Sequence, residues 1–207
     1  WGDPELGRNS IIRFTENDFL NEGGAFAAPD GPITAMTFAA NLDTSLGDGD
    51  LLVGTPSTVY AFNAPIDRSA WKATDYPLQR YAAREFGMLS HESAVLFNND
   101  VLYRSSDGLR SLKYTRRDQV NEWGNAPISR EAYRALAFDT SARLSEASGV
   151  NFDQRALFTV QPQLDNAHGV WHRGLLVLDF QRVGGAGRNL PPAWEGVWTG
   201  LRFLRVI

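Results

Sequence analysis

Apolar and polar positions alternate in short runs along most of this chain, and the runs are separated by too few residues for anything but tight turns. The clearest stretch is GMLSHESAVLFNNDVLYRSSDGLRSLKY, residues 87–114. There, 93–97 reads as a strand, Asn98-Asn99-Asp100 as a turn and 101–104 as a second strand. Ser105-Ser106-Asp107-Gly108 supplies a hairpin signal centred on Asp107-Gly108, with a type I′ turn and positive φ at Gly108, and 109–114 returns. In that last run Leu109, Ser111 and Lys113 alternate with Arg110, Leu112 and Tyr114, a period of two.

The same figure recurs. Residues 33–39, 51–54 and 58–62 read as three strands, joined by the Gly/Asp/Ser-rich loop 41–50 and the Pro56 turn. Downstream, 156–160 and 175–180 flank a long polar loop, and 196–197 and 201–206 flank a turn at Trp198-Thr199-Gly200. Hairpins at uneven intervals predict an all-β chain with one short helical segment, a β-propeller-like meander with blades of roughly 40–50 residues. A β-sandwich is the alternative. Residues 201–207 predict an apolar terminal strand that a partner must cover.

Two segments leave the alternation. Residues 15–24 can form one helical turn capped by Thr15, and with the Gly/Ala/Pro stretch after it they predict an N-terminal arm or linker over 1–32, ahead of a propeller-like domain over 33–207. Residues 127–148 are the helix candidate, with Ser129 as cap, Tyr133, Leu136 and Ala137 at helical spacing, and Gly149 as stop. A helix followed by a strand over 142–150 fits that sequence as well.

Composition narrows the function classes. The 207 residues are 43% hydrophobic and 21% charged, ordinary for a globular chain with a sizeable core. A net charge of −4 leaves no basic surplus to neutralise a phosphate backbone, and Arg116-Arg117 beside Lys113 reads as a solvated hairpin edge. Zero cysteines exclude disulfides, thiol catalysis and Cys-type zinc sites. No apolar run reaches the length of a membrane span. The start Trp1-Gly2-Asp3-Pro4-Glu5, with too few hairpins to close a propeller, predicts that the chain belongs to something longer.

Catalytic constellations are sparse. His168 and His172 stand four apart between Asp165 and Asp179, and on a strand they share a face, so they form the one candidate metal pair, although loop histidines satisfied by water or backbone are commoner. Ser105-Ser106-Asp107-Gly108 departs from the Asp-box of sialidase-like propellers, because Gly follows Asp directly and no Trp closes the motif. Gly184-Gly185-Ala186-Gly187 leads into Arg188-Asn189-Leu190-Pro191-Pro192 rather than a helix, and reads as a loop instead of a phosphate cradle. Nucleophile elbows, P-loops and dinucleotide fingerprints are missing from the sequence. The site expectation is therefore no catalytic, metal or cofactor-binding residue. Trp71, Trp123, Trp171, Trp194 and Trp198 lie near turns or strand ends, where indoles plug sheet edges or, in a lectin-like module, stack on sugars.

The succession of residues 87–114, WGNAPISREAYRAL, VNFDQRALFTV, HRGLLVLDF and WEGVWTGLRFLRV resembles β-propeller-bearing virion proteins of tailed bacteriophages, in the tail-tube or nozzle group of short-tailed phages. The Ser106-Asp107-Gly108 turn followed by Leu109-Arg110-Ser111 is its sharpest part. The resemblance implies a structural virion subunit, located in the phage tail, in a homo-oligomeric ring with other tail subunits around the DNA exit path. It implies passage of DNA without sequence-specific binding. A carbohydrate-binding, lectin-like propeller is the second reading and a propeller hydrolase the third. Those virion proteins are much longer, so the resemblance also implies a fragment or a reduced relative.

Overall fold

Thirteen strands, all in antiparallel pairs, carry the described residues, which are 7–15, 22–28, 30–39, 49–62, 79–97, 100–112, 126–167, 169–180 and 193–207 of a computed structural model. They form four open sheets of two, four, three and four strands in chain order. With a single α-helical element among the described residues, Tyr133–Leu136, the chain is all-β with a small helical part. It divides into two compact units, Trp1–Met88 and Leu89–Ile207.

In the first unit, β1 (Ile11–Thr15) pairs with β2 (Glu22–Ala27), and β3 (Ala35–Phe38), β4 (Leu51–Gly54), β5 (Thr58–Phe62) and β6 (Gln79–Arg84) follow as a meander. The β4 and β5 hairpin forms as its sequence suggests. Thr55 N donates to Thr58 O at 2.8 Å, and Thr58 N donates to Thr55 Oγ1 at 3.0 Å, so a threonine side chain caps the Pro56 turn. Ile12, Leu51, Val53, Tyr60 and Phe62 share one apolar core, with the Phe26 ring centroid 4.8 Å from that of Phe62 at a 40° tilt. Burying each such side chain stabilises by roughly 1.5–3 kcal/mol.

The N-terminal region therefore departs from the arm expected over 1–32. The alternation in IIRFT buries Ile12 and Phe14, and Ile12 enters the same core as β4 and β5. Thr15 ends a strand instead of capping a helix, and Phe19 and Leu20 lie outside the described residues.

The second unit begins with β7 (Val95–Phe97), β8 (Asp100–Ser105) and β9 (Gly108–Ser111). Ser105 pairs with Gly108, so the two turn residues are Ser106 and Asp107, neither with positive φ, and the turn is not type I′. Gly108 follows at φ +152°, and a Cβ there would meet Ser129 Oγ and Pro127. The type I′ geometry sits elsewhere, at Asp153 and Gln154 with φ of 49° and 57°, between β10 (Gly149–Phe152) and β11 (Arg155–Asp165).

Over 127–148 the helix expectation gives way to short turns. Only Tyr133–Leu136, α1, is α-helical, flanked by 3-10 turns at Arg130–Ala132 and Ser141–Glu146. Ser129 is not a side-chain cap, because its Oγ accepts from Leu109 N at 2.9 Å instead. Gly149, read as a stop, opens β10, where a larger residue would strike Phe158 and Val95.

Two longer strands replace expected loops. β11 and β12 (Gly169–Asp179) pair along ten positions, so the polar stretch between 160 and 175 is mostly ladder. Trp198-Thr199-Gly200 is no turn either, since β13 (Ala193–Phe203) runs through it. The Trp-x-Gly steps at 194–196 and 198–200 instead make bulges: Glu195 is extra opposite β12, residues 200–202 face the single Arg173, and Gly196 and Gly200 have φ of 110° and 102°. Sheets β7–β9 and β10–β13 pack over one core through Val95, Phe97, Leu102 and Leu109 against Ala156, Phe158, Leu176 and Leu178. Sandwiches and neighbouring propeller blades share that packing.

Candidate functional site

Among the buried polar groups of the second unit, two places bear on chemistry. The first follows from strand alternation: Leu102 and Leu109 enter the core, so Arg104, two residues from Leu102 and directly opposite Leu109, is carried inward with them. Its Nη2 donates to Asp139 Oδ2 at 2.8 Å, with the two side chains 4% and 3% exposed. Asp139 Oδ1 accepts from Gln161 N at 2.6 Å, and Gln161 Nε2 donates to Ala135 O at 3.1 Å.

This trio joins three separate pieces of chain. Gln161 holds φ at 59° in the middle of β11, ahead of Pro162, a position that ordinarily favours extended backbone. Turning its N–H to Asp139 stabilises that conformation. Burial pushes Arg104 below and Asp139 above their ordinary values, opposed by their mutual attraction and, at Asp139, by the Gln161 N–H. Arg104 Nε and Nη1 remain without partners. With both carboxylate oxygens occupied, the arrangement fastens α1 and its flanking turns to β8 and β11, and it presents neither a nucleophile nor a free base.

The second place is His172. It lies within β12 and not in the loop that the sequence reading expects, it is 1% exposed, and both ring nitrogens lack hydrogen-bond partners. Its intended companion His168 lies outside the described residues. Asp165 accepts from Ala167 N at 2.9 Å and faces Arg202 Nη1 at 3.5 Å, which makes it a turn cap. Asp179 is buried at the other end of β12. Among the described residues, no three His, Cys, Asp or Glu side chains converge to hold a metal ion.

Around the remaining motifs the contacts are internal. Asp107 takes both Nε and Nη2 of Arg110, at 3.0 and 2.6 Å, so the Ser-Asp-Gly turn locks its own returning strand. Trp194 Nε1 donates to Ile128 O at 3.0 Å while its ring packs on the core. Trp171 carries the Arg202 guanidinium 4.8 Å from its ring centroid. Trp71, Trp123, Arg116, Arg117 and the Gly184–Gly187 run fall outside the described residues.

One surface feature escaped sequence reading in part. Trp198, Leu201, Leu204 and Ile207 are 48%, 69%, 63% and 96% exposed, four of the ten large exposed apolar side chains among the described residues, within ten residues of chain. The apolar run at 201–207 was legible, but its two-sidedness was not: Phe203 and Val206 turn inward onto Leu157, Leu175 and Val177. Among the described residues, no helix is long and apolar enough to cross a membrane. Neither a protein-family model nor a curated protein matches this sequence.

Proposed function

We propose that this chain is a structural, assembly-forming subunit, and that its assembly is a ring in the tail-tube or nozzle region of a bacteriophage virion. The supporting observation is the concentration of exposed apolar side chains at Trp198, Leu201, Leu204 and Ile207, on the edge strand of the β10–β13 sheet and the residues after it. Bulges at Glu195 and at 200–202 interrupt that edge, so association proceeds through side chains rather than strand addition. The internal use of Asp107, Asp139, Asp165 and Trp194 agrees with a role in architecture. The identification as a virion subunit rests on the sequence resemblance. A net charge of −4 suits a conduit that lets DNA pass without holding it.

Half-exposed Trp198 favours the carbohydrate-binding reading to a lesser degree, since one indole face is open for stacking. Negative-stain electron microscopy with sedimentation velocity separates the two. Closed rings that dissociate on Trp198→Ser with Leu201→Ser support the subunit reading. A concentration-independent monomer that binds a glycan array through Trp198 overturns it in favour of the lectin.

A further inference from the structure

His172 stands where β13 leaves β12. It is paired with Phe203, the last residue of β13, directly after the irregular stretch 200–202. On its other side it pairs with Pro162, which has no N–H to offer. Beyond Phe203 the chain folds back across its own sheet. Phe203 and Val206 cover Leu157, Leu175 and Val177, Val206 N donates to Ser148 Oγ at 3.0 Å, and Arg205 meets Glu92 at 2.8 Å. Leu204 and Ile207 face outward.

A buried imidazole whose ring nitrogens make no hydrogen bond gains from reaching water or a partner when it takes up a proton. Burial holds His172 below the ordinary histidine value, while the backbone of Phe203 and Leu204 and the Glu146 carboxylate oppose it. Glu146, from the 3-10 turn Ser141–Glu146, is the charged group acting on the ring, and β11 offers Gln161, Pro162 and Gln163 there, none ionisable. We propose that residues 203–207 form an acid-released strap: protonation of His172 frees the strap and uncovers the apolar face of Leu157, Leu175 and Val177. Of the two neighbours that His172 pairs with, the strap is the more weakly held. A ten-position ladder holds the β11 side, whereas the strap depends on two apolar side chains, one hydrogen bond and an ion pair whose members are 60% and 37% exposed.

Hydrogen exchange followed by mass spectrometry, corrected for the intrinsic pH dependence, tests this on the full chain at pH 7.5 and 5. Peptides covering 203–207 and 175–177 are expected to lose at least tenfold protection in acid, and His172→Gln to abolish the difference. Equal protection at both pH values, or the same loss in His172→Gln, overturns the proposal. Should the variant fail to fold, NMR titration of the three histidines decides. The His172 ring must titrate below about 6.5, in step with shifts of the Val206 methyls. Titration at or above that value, or without movement of Val206, contradicts the strap.

Discussion

The cores of the two units are built on different terms. In the first, Ile12, Leu51, Val53, Tyr60 and Phe62 form an apolar cluster. The second places Arg104, Asp139 and His172 among its buried groups, and it holds Asp153, Gln154 and Gln161 at positive φ, against Glu85 among the described residues of the first. Apolar packing tolerates small adjustments, because its energy is spread over many contacts. A buried ion pair does not, because losing either partner leaves a charge in low dielectric. The second unit should therefore be the more brittle under single substitutions and the only one of the two to respond to mild acid.

The largest break in that comparison is Asp139→Ala. It strands Arg104 and leaves Gln161 N without an acceptor, and the second unit is expected to lose about 3–5 kcal/mol. Calorimetry should show the second unit's transition moving down while the first stays. Arg104→Met with Asp139→Leu, which removes both charges, should recover most of the loss. If the double replacement is no better than Asp139→Ala, the cost comes from repacking and not from the stranded charge.

Next in size is Gly108→Val. With φ at +152° and Ser129 Oγ and Pro127 in the way of a Cβ, the variant should lose about 1–3 kcal/mol. Ser129 would also have to give up the Leu109 N–H. An unchanged denaturant midpoint would show that the hairpin relaxes away from Pro127 and Ser129.

Mild acid sharpens the contrast, because all three histidines, His91, His168 and His172, fall in the second unit. The folded value of His172 is depressed, so its effect on stability is absent when both states are neutral and appears once the unfolded chain takes up a proton the folded one refuses. Stability of the second unit should fall as pH drops below about 6.5. The first unit should change little between pH 7.5 and 5.5, and His172→Gln should flatten the slope of the second.

The smallest effect is a gain. Gln154 holds φ at 57° in the type I′ turn, where a side chain costs energy and glycine does not, so Gln154→Gly should stabilise by about 0.5–1 kcal/mol in urea unfolding. A loss would mean that glycine's greater freedom in the unfolded chain outweighs the relieved strain.

Legibility in the sequence followed the range of the interactions. The strands around Pro56 and from Val95 to Ser105 were readable because alternation and turn residues are local signals. β2 was not, since EGGAFA has little strand propensity and is held by pairing with β1. Polar residues such as Gln161, Gln163 and Arg173 concealed the length of β11 and β12. In β13 the Trp198-Thr199-Gly200 step carried a turn signal that the sheet absorbs as a bulge. The Arg104 and Asp139 pair spans 35 positions, and only the inward register of Arg104 between Leu102 and Leu109 hinted at it. His172 was weighed as half of a metal pair and set aside, and its place inside a ladder, which rests on pairing with the distant Phe203, carried no local signal.

Assembly is the central claim, and sedimentation velocity over a hundredfold concentration range tests it most directly. The account expects a discrete oligomer that collapses to monomer when Trp198 and Leu201 become serine, with both thermal transitions preserved. A parent chain that remains monomeric at the highest concentration, or an oligomer indifferent to those two substitutions, would contradict it.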